Sequence, residues 1–225
     1  MQVTFYTGDK TETKDVSVSK AIVAGWTGRD RAALEKHILE LEELGVARPA
    51  STPIYYRVAA SRITTSPVIE TTGEASSGEV EFVLAQWGGE TWVSVGSDHT
   101  DRQVETYNVT VSKQMCEKPV AATFWRYAEV ASHWDKIVMR SWIEENGARV
   151  LYQEGSVISM LDPMTLVEGY EGKPALDEGA LMFCGTFAAK GGIRPADSFE
   201  FEIHDPVLGR SISHAYRLEK LPVLG

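Results

Sequence analysis

The sequence is poor in cysteine: Cys116 and Cys184 are the only two in 225 residues, with no C-x-x-C and no paired histidine spacing. That excludes a disulfide framework, and two isolated thiols fit a reducing compartment. Long apolar runs are also missing. None approaches the ~20 residues of a membrane span, and the N-terminal MQVTFYTGDKTETKD lacks the apolar core of a signal peptide. A cytoplasmic protein without membrane contact is expected. Basic residues are in the minority, 22 Lys and Arg against 32 Asp and Glu for a formal net charge of -10, and they form no run. A phosphate backbone needs a basic stripe, so nucleic acid is not an expected partner. Neither a G-x-G-x-x-G after a strand nor a G-x-x-x-x-G-K-[ST] occurs, which leaves nucleotide binding unsupported.

What is present suffices for a full core, since 43% of the residues are hydrophobic. Residues 1–24 read as a hairpin with QVTFY and KAIVAG as strands around a polar turn. From Arg29 to Leu44, Ala32, Ala33, Leu34, Ile38, Leu39, Leu41 and Leu44 recur at helical spacing, with Gly45 as the expected C-cap. Short strands follow in IYYRVA, SPVIET, EVEFVLAQW and TWVSVG, the last two joined at Gly88-Gly89. A helix is expected over Pro119 to Ala131, because proline suits a first helical turn. Strands return in KIVMRSWIE, ARVLYQEGSV, ALMFCGTF, SFEFEIHD and ISHAYRLEKL, with Asn146-Gly147 as a turn. The expected class is α+β, mostly β: a small N-terminal α/β part over residues 1–50 and a β domain over residues 51–225.

Three carboxylates carry the chemical signal. Glu79 and Glu81 flank Val80 in a strand pattern, so period two sets them on one face. Asp98 ends the next strand, a hairpin's length away, and three hard oxygen ligands at one end of a sheet suit Mg²⁺ or Mn²⁺. An E-x-E strand is more often a solvated edge, and these acids could instead pair with Arg57, Arg62 or Arg102. Asp98 could equally serve a turn in S-D-H-T.

The order of these and later residues resembles the fumarylacetoacetate hydrolase superfamily. The pattern is E-x-E at Glu79 and Glu81, Asp98 in SDHTDR, Lys113 in VSKQ, Gln153 in RVLYQEGSV, and Gly185-Thr186 in FCGTFAAKGG. The closing stretch RPADSFEFEIHDPVLGRSISHAY is similar to the family's last strands, and the resemblance runs from about Ile54 to Tyr216. It implies a fumarylacetoacetate-hydrolase-like β roll or sandwich, one divalent ion on Glu79, Glu81 and Asp98, and a homodimer formed through the β core. It further implies that Arg102, Gln153, Gly185 and Thr186 contact a small carboxylic acid substrate, with Lys113 at the reacting centre.

Departures bear on the activity. Only sixteen residues separate Glu81 from Asp98, so a helical lid element of the family is missing. Phe187 replaces the proline of the Gly-Thr-Pro turn, Lys190 stands inside that loop, and Gln103 and Glu105 fall where Asp and Gln are the pattern. The catalytic H-x-x-E dyad corresponds to His37 and Glu40, several residues late, and His99 beside Asp98 competes as the base. The activity implied is hydrolysis of a C–C bond in an acylpyruvate or other 1,3-dicarbonyl acid, where a cation stabilises the expelled enolate. Decarboxylation, hydration or isomerisation of a 2-oxo acid could use the same enolate, and a non-catalytic small-molecule-binding protein could keep the scaffold.

Overall fold

The protein is described here by a computed structural model that covers residues 1–43 and 48–224, without the side chains of His37, Glu40, Leu41 and Glu43. In chain order the N-terminal region forms β1 (Gln2–Thr7), β2 (Lys10–Asp15), β3 (Lys20–Gly25) and α1 (Arg31–Glu43). Next come β4 (Ile54–Val58), β5 (Ile63–Thr64), β6 (Val68–Thr72), β7 (Ser76–Ser77), β8 (Val80–Trp87), β9 (Glu90–Ser97) and β10 (Thr100–Asp101). The middle holds α2 (Arg102–Glu105), α3 (Val109–Met115), β11 (Lys118–Pro119), β12 (Thr123–Arg126) and α4 (Tyr127–Val130). The rest is β13 (Val138–Glu145), β14 (Ala148–Ser156), α5 (Pro163–Glu171), β15 (Ala180–Phe183), β16 (Ser198–Asp205) and β17 (Arg210–Leu221).

Two sheets pack face to face. One has eight strands in the order β2-β1-β12-β9-β8-β15-β3-β4, the other five in the order β14-β13-β16-β17-β6. Phe82, Leu84, Val93 and Val95 from the first sheet bury against Met139, Ile143, Phe199, Phe201 and Tyr216 from the second. The far face of the eight-stranded sheet carries its own cluster, including Phe5, Val83, Trp87, Trp92, Phe124 and Phe183. Central strand β8 is therefore buried at all eight positions, which explains its near-continuous apolar run: each wholly buried side chain such as Phe82 contributes about 1.5–3 kcal/mol. The architecture is the expected α+β, mostly β fold. Among the described residues no helix is long and apolar enough to cross a membrane.

Two local expectations are corrected. QVTFY does not pair with KAIVAG. It forms a hairpin with Lys10–Asp15 through the Gly8-Asp9 turn, where Gly8 takes a φ of 57°, while β3 lies inside the sheet between parallel β15 and antiparallel β4. Strand β2 is exposed at all six positions, so it lacks the alternation that marks a half-buried strand. The expected helix over Pro119 to Ala131 is mostly extended: Thr123–Arg126 pairs with β1 and β9, and only Tyr127–Val130 forms a helical turn. Burial of the Phe124 and Trp125 rings between strands outweighs the proline signal.

Elsewhere the pattern and the fold agree. Helix α1 starts where the Asp30 carboxylate accepts from the backbone N–H groups of Ala32 and Ala33 at 2.9 and 3.0 Å; Leu44 and Gly45 lie outside the described residues. Gly88 and Gly89 close the β8-β9 hairpin with φ of 64° and 74°, and Asn146 and Gly147 close β13-β14 with 52° and 76°, as left-handed two-residue turns require. Strands β1 to β3 share the eight-stranded sheet with strands from residues 54–183.

Candidate functional site

The β8-β9 hairpin sets the three carboxylates at one end of the eight-stranded sheet. The N–H of Asp98 donates to the Glu79 carbonyl at 3.0 Å, which extends the ladder one step past β8 and holds Glu79 opposite Asp98. One carboxylate oxygen from each of Glu79, Glu81 and Asp98 lies within 4.8 Å of the others. Such crowding of like charges is costly, and its effect is visible in the acids themselves. Burial, then the Asp98 charge, pushes the Glu81 carboxyl well above its usual range. Burial also raises Glu79, though Arg102 partly offsets it. Asp98 goes the other way: burial works against its charge, but Lys113 and Lys118 outweigh burial and hold it below the ordinary aspartate value.

Those two lysines come from different elements. Lys113, on α3, is buried and makes a very short contact with Asp98 Oδ2. The carboxylates Asp98 and Glu79 keep it charged despite the burial. Lys118, on β11, is wholly buried; its Nζ lies 3.0 Å from Asp98 Oδ1 and donates to the His99 carbonyl. Burial lowers its ammonium below the usual lysine value. Arg102 approaches from the start of α2. Its Nη2 is 3.3 Å from Glu79 Oε1, Nη1 donates to Glu105 Oε2 at 2.8 Å, and Nε donates to Ser77 Oγ at 2.7 Å.

On the opposite side, the Gly185 N–H donates to Glu81 Oε2 at 2.7 Å. Gly185 takes a φ of 106°, and a Cβ there would fall 1.9 Å from Thr27 Oγ1, so only glycine fits. Gln153 Nε2 donates to Thr186 Oγ1 at 2.8 Å and to the Phe187 carbonyl at 2.7 Å, while its Oε1 accepts from the Val80 N–H at 3.0 Å. Gln153 thus ties the first residue of β8 to the 186–187 loop from behind; it is 1% exposed.

A cleft of about 890 Å³ opens above this floor and is bordered by Glu79, Glu81, Arg102, Lys113, Gly185 and Thr186. Asp98 lies beneath it, fully buried. Trp26, Tyr56, Met160 and Phe187 form an apolar wall. The structure therefore brings together Glu79, Glu81, Asp98, Lys113, Arg102, Gly185 and Thr186, with Gln153 behind them. His37 and Glu40 are on α1, but their side chains lie outside the described residues. His99 is enclosed: Nδ1 is 2.8 Å from Tyr216 Oη, Nε2 is 2.9 Å from Ser76 Oγ, and burial, then Lys118, lowers its pKa to about 3. It does not border the cleft.

The donor set fits a hard divalent cation. All three ligands are carboxylate oxygens, and a positive ion among them would draw Glu81 back to its ionised form. Sequence reasoning missed Lys118 and Trp26. A lysine before Pro119 and the apolar Val120-Ala121 has no motif around it, and Trp26, which borders the cleft, takes a left-handed φ of 56° that nothing in GWTG marks.

Several solved structures share this fold. The protein Cg1458 matches with a TM-score of 0.63 at 13% identity, over 95% of this chain and 83% of that one. A 2-keto-3-deoxy-D-arabinonate dehydratase complexed with magnesium and 2,5-dioxopentanoate matches with 0.65 at 13% identity, over 96% and 79%. The apo form of that dehydratase matches with 0.63 at 13% identity, over 96% and 78%. At such identity the likeness is one of fold, the fumarylacetoacetate-hydrolase-like one. No curated protein sequence matches the chain. The profile described as "Protein of unknown function (DUF2848)" spans residues 24–216, and the chain belongs to that family.

Proposed function

We propose that the chain is a divalent-metal-dependent enzyme of the fumarylacetoacetate hydrolase superfamily, acting on a small 2-oxo carboxylic acid through an enolate. The observation that carries this is the triple carboxylate under a half-apolar cleft with the Lys113 cation beside it. Bound there, Mg²⁺ or Mn²⁺ would act as Lewis acid and template for the adjacent oxygens of a 2-oxo acid. Lys113, locked by Asp98, supplies a fixed positive charge where negative charge develops, without reorganising during the reaction. Thr186 accepts its hydrogen bond from Gln153, so its own hydroxyl proton is available to a substrate oxygen. Arg102, braced by Glu79, Glu105 and Ser77, holds the substrate carboxylate at the mouth. The wall of Trp26, Met160 and Phe187 limits water.

Of the outcomes open to the enolate, elimination of a β-hydroxyl, which is dehydration, is supported best. It needs a group that takes the proton from the carbon beside the 2-oxo group and returns it to the β-hydroxyl, which departs as water as the C=C bond forms, but it needs no activated water; Glu105 at the cleft border is placed for that transfer. The magnesium-bound dehydratase of a 2-keto acid on the same fold adds support. The second reading, hydrolysis of a C–C bond in an acylpyruvate, follows from the order of motif residues and requires His37, oriented by Glu40, to activate water. Turnover of a panel of 2-keto-3-deoxy sugar acids and acylpyruvates with Mg²⁺ or Mn²⁺ decides between them. A dehydratase consumes the first group, and His37→Ala leaves its rate unchanged; a hydrolase consumes the second, and His37→Ala slows it roughly 10²- to 10⁴-fold. No turnover of either group would leave the binding-protein reading in front.

A further inference from the structure

The cleft above the carboxylates does not end at its apolar wall. Gly28 and Ser159, which border it, also border a second groove of about 550 Å³ that Ala33 and Leu34 of α1 and Ile158 line. A low ridge of backbone parts the two hollows. In it the Leu161 N–H donates to the Thr27 carbonyl at 2.8 Å and the Arg29 N–H to the Ser159 carbonyl at 2.9 Å, with Gly28 opposite Met160 between them. A path leads over this ridge from the carboxylate floor. A Cβ on Gly185, whose N–H donates to Glu81, would lie 3.4 Å from Met160 Sδ, and a Cβ on Gly28 would lie 3.7 Å from Leu34 Cδ1.

We infer that this path holds the tail of the substrate and that the tail is a hydrocarbon chain: a 2-oxo acid lies with its head at the carboxylate floor and its alkyl chain across Gly28 in the groove beside α1. The inference rests on the 2-oxo acid reading of the same cleft, and it is indifferent to whether a C–O or a C–C bond breaks. The polar groups of the groove decide the chemistry of the tail. Among the described residues, the three polar side chains that border it are each engaged. Ser159 Oγ donates to the Ser156 carbonyl at 3.0 Å, and Asp30 Oδ1 accepts from the N–H groups of Ala32 and Ala33. Arg29 Nε donates to the Met160 carbonyl at 2.8 Å, while its Nη1 and Nη2 donate to Asp135. Hydroxyls on the tail would leave water for a surface whose polar side chains are taken, at the cost of unmade hydrogen bonds. Methylenes lose nothing there and gain burial.

Gly28 keeps the path open. It does not take a left-handed φ, so its missing side chain answers to space and not to backbone strain. A larger residue there would stand at the start of the groove against Leu34. Met160 lies along the first part of the chain and Ile158 along its end. Ile158 is 48% exposed, so a polar residue at that position leaves the core packing untouched.

The test is isothermal titration calorimetry of the full chain in Mg²⁺ with oxalate, pyruvate and straight-chain 2-oxo acids up to 2-oxodecanoate, which carry no leaving group. Affinity should rise about two- to fourfold for each added methylene that the path buries. 2-Oxoadipate, whose chain ends in a carboxylate, should bind ~10-fold or more weakly than 2-oxohexanoate of the same length. Gly28→Val, which obstructs the ridge, and Ile158→Asp, which sets a charge in the groove, should each flatten the rise among the longest chains. Three results overturn the inference and spare the 2-oxo acid reading: oxalate and pyruvate bind but affinity does not rise with length, the rise is the same in wild type and both variants, or 2-oxoadipate binds as tightly as 2-oxohexanoate. No binding of any compound, oxalate included, overturns that reading and the inference with it.

Discussion

The Asp98 centre and the β2 edge are both dense in charge, yet they obey different physics. Around Asp98, two lysines and an arginine meet three carboxylates that are mostly or wholly buried, so each charge depends on its partners. Along β2, Lys10, Glu12, Lys14 and Asp15 stand in solvent, where water and salt do most of the stabilising and the same side chains are nearly independent. The same residue types are interdependent in one place and nearly independent in the other. Burial makes the difference.

The largest expected effect lies at the buried end. Lys118→Ala leaves Asp98 short of one cation and opens a cavity, and it should cost about 3–5 kcal/mol in urea denaturation. A loss near zero would mean that Lys113 alone suffices for Asp98. Metal binding comes next: saturating Mg²⁺ or Mn²⁺ should stabilise the folded chain by about 2.7 kcal/mol at 100 times Kd, seen as a rise in Tm. Glu81→Ala and Asp98→Asn should both remove that rise, and an undiminished response in both would locate the ion elsewhere. Gly185→Ala should then cost about 1–3 kcal/mol, since the residue sits at a φ of 106° with Thr27 Oγ1 1.9 Å from the new methyl. It should also weaken metal binding by moving the N–H that Glu81 accepts.

A smaller effect sharpens the comparison from a second buried acid. Burial works against the Asp205 charge, but His133, with Nε2 3.0 Å from both oxygens, and the N–H groups of Leu208 and Val207 outweigh it and lower the pKa. A lowered carboxylate contributes stability above its unfolded pKa of about 3.9, which is lost as pH falls through the folded value. Asp205→Asn should therefore flatten the fall in stability below about pH 4, and an unchanged slope would show that other acids dominate there. The smallest effect is at the surface. Lys173, which pairs with Asp177 and Glu171 in solvent, should be replaceable by alanine with no measurable change in Tm at 0.15 M salt.

The carboxylate cluster was legible in the sequence because its members are local. Glu79, Glu81 and Asp98 lie on one hairpin, and strand period and turn length bring them together. Lys113 was legible only through its place in a longer motif order, since nothing in VSKQ marks α3 or its burial. Lys118 left no trace, because its role exists only where β11, α3 and the end of β9 meet. The two misread segments fail for a related reason. KAIVAG is continuous because both of its faces are covered, and TFWR is a strand only because β1 and β9 lie on either side of it.

By itself the sequence determined the periodic elements, the turns whose backbone only glycine or asparagine tolerates, and the acid triad of one hairpin, since these depend on neighbours in the chain. Only the tertiary structure decided which lysines neutralise Asp98, that His99 is sealed against Tyr216 and Ser76, and that β2 is an open edge. Each of those depends on the removal of water, or its persistence, at contacts between residues far apart in the chain, and local pattern carries no record of that.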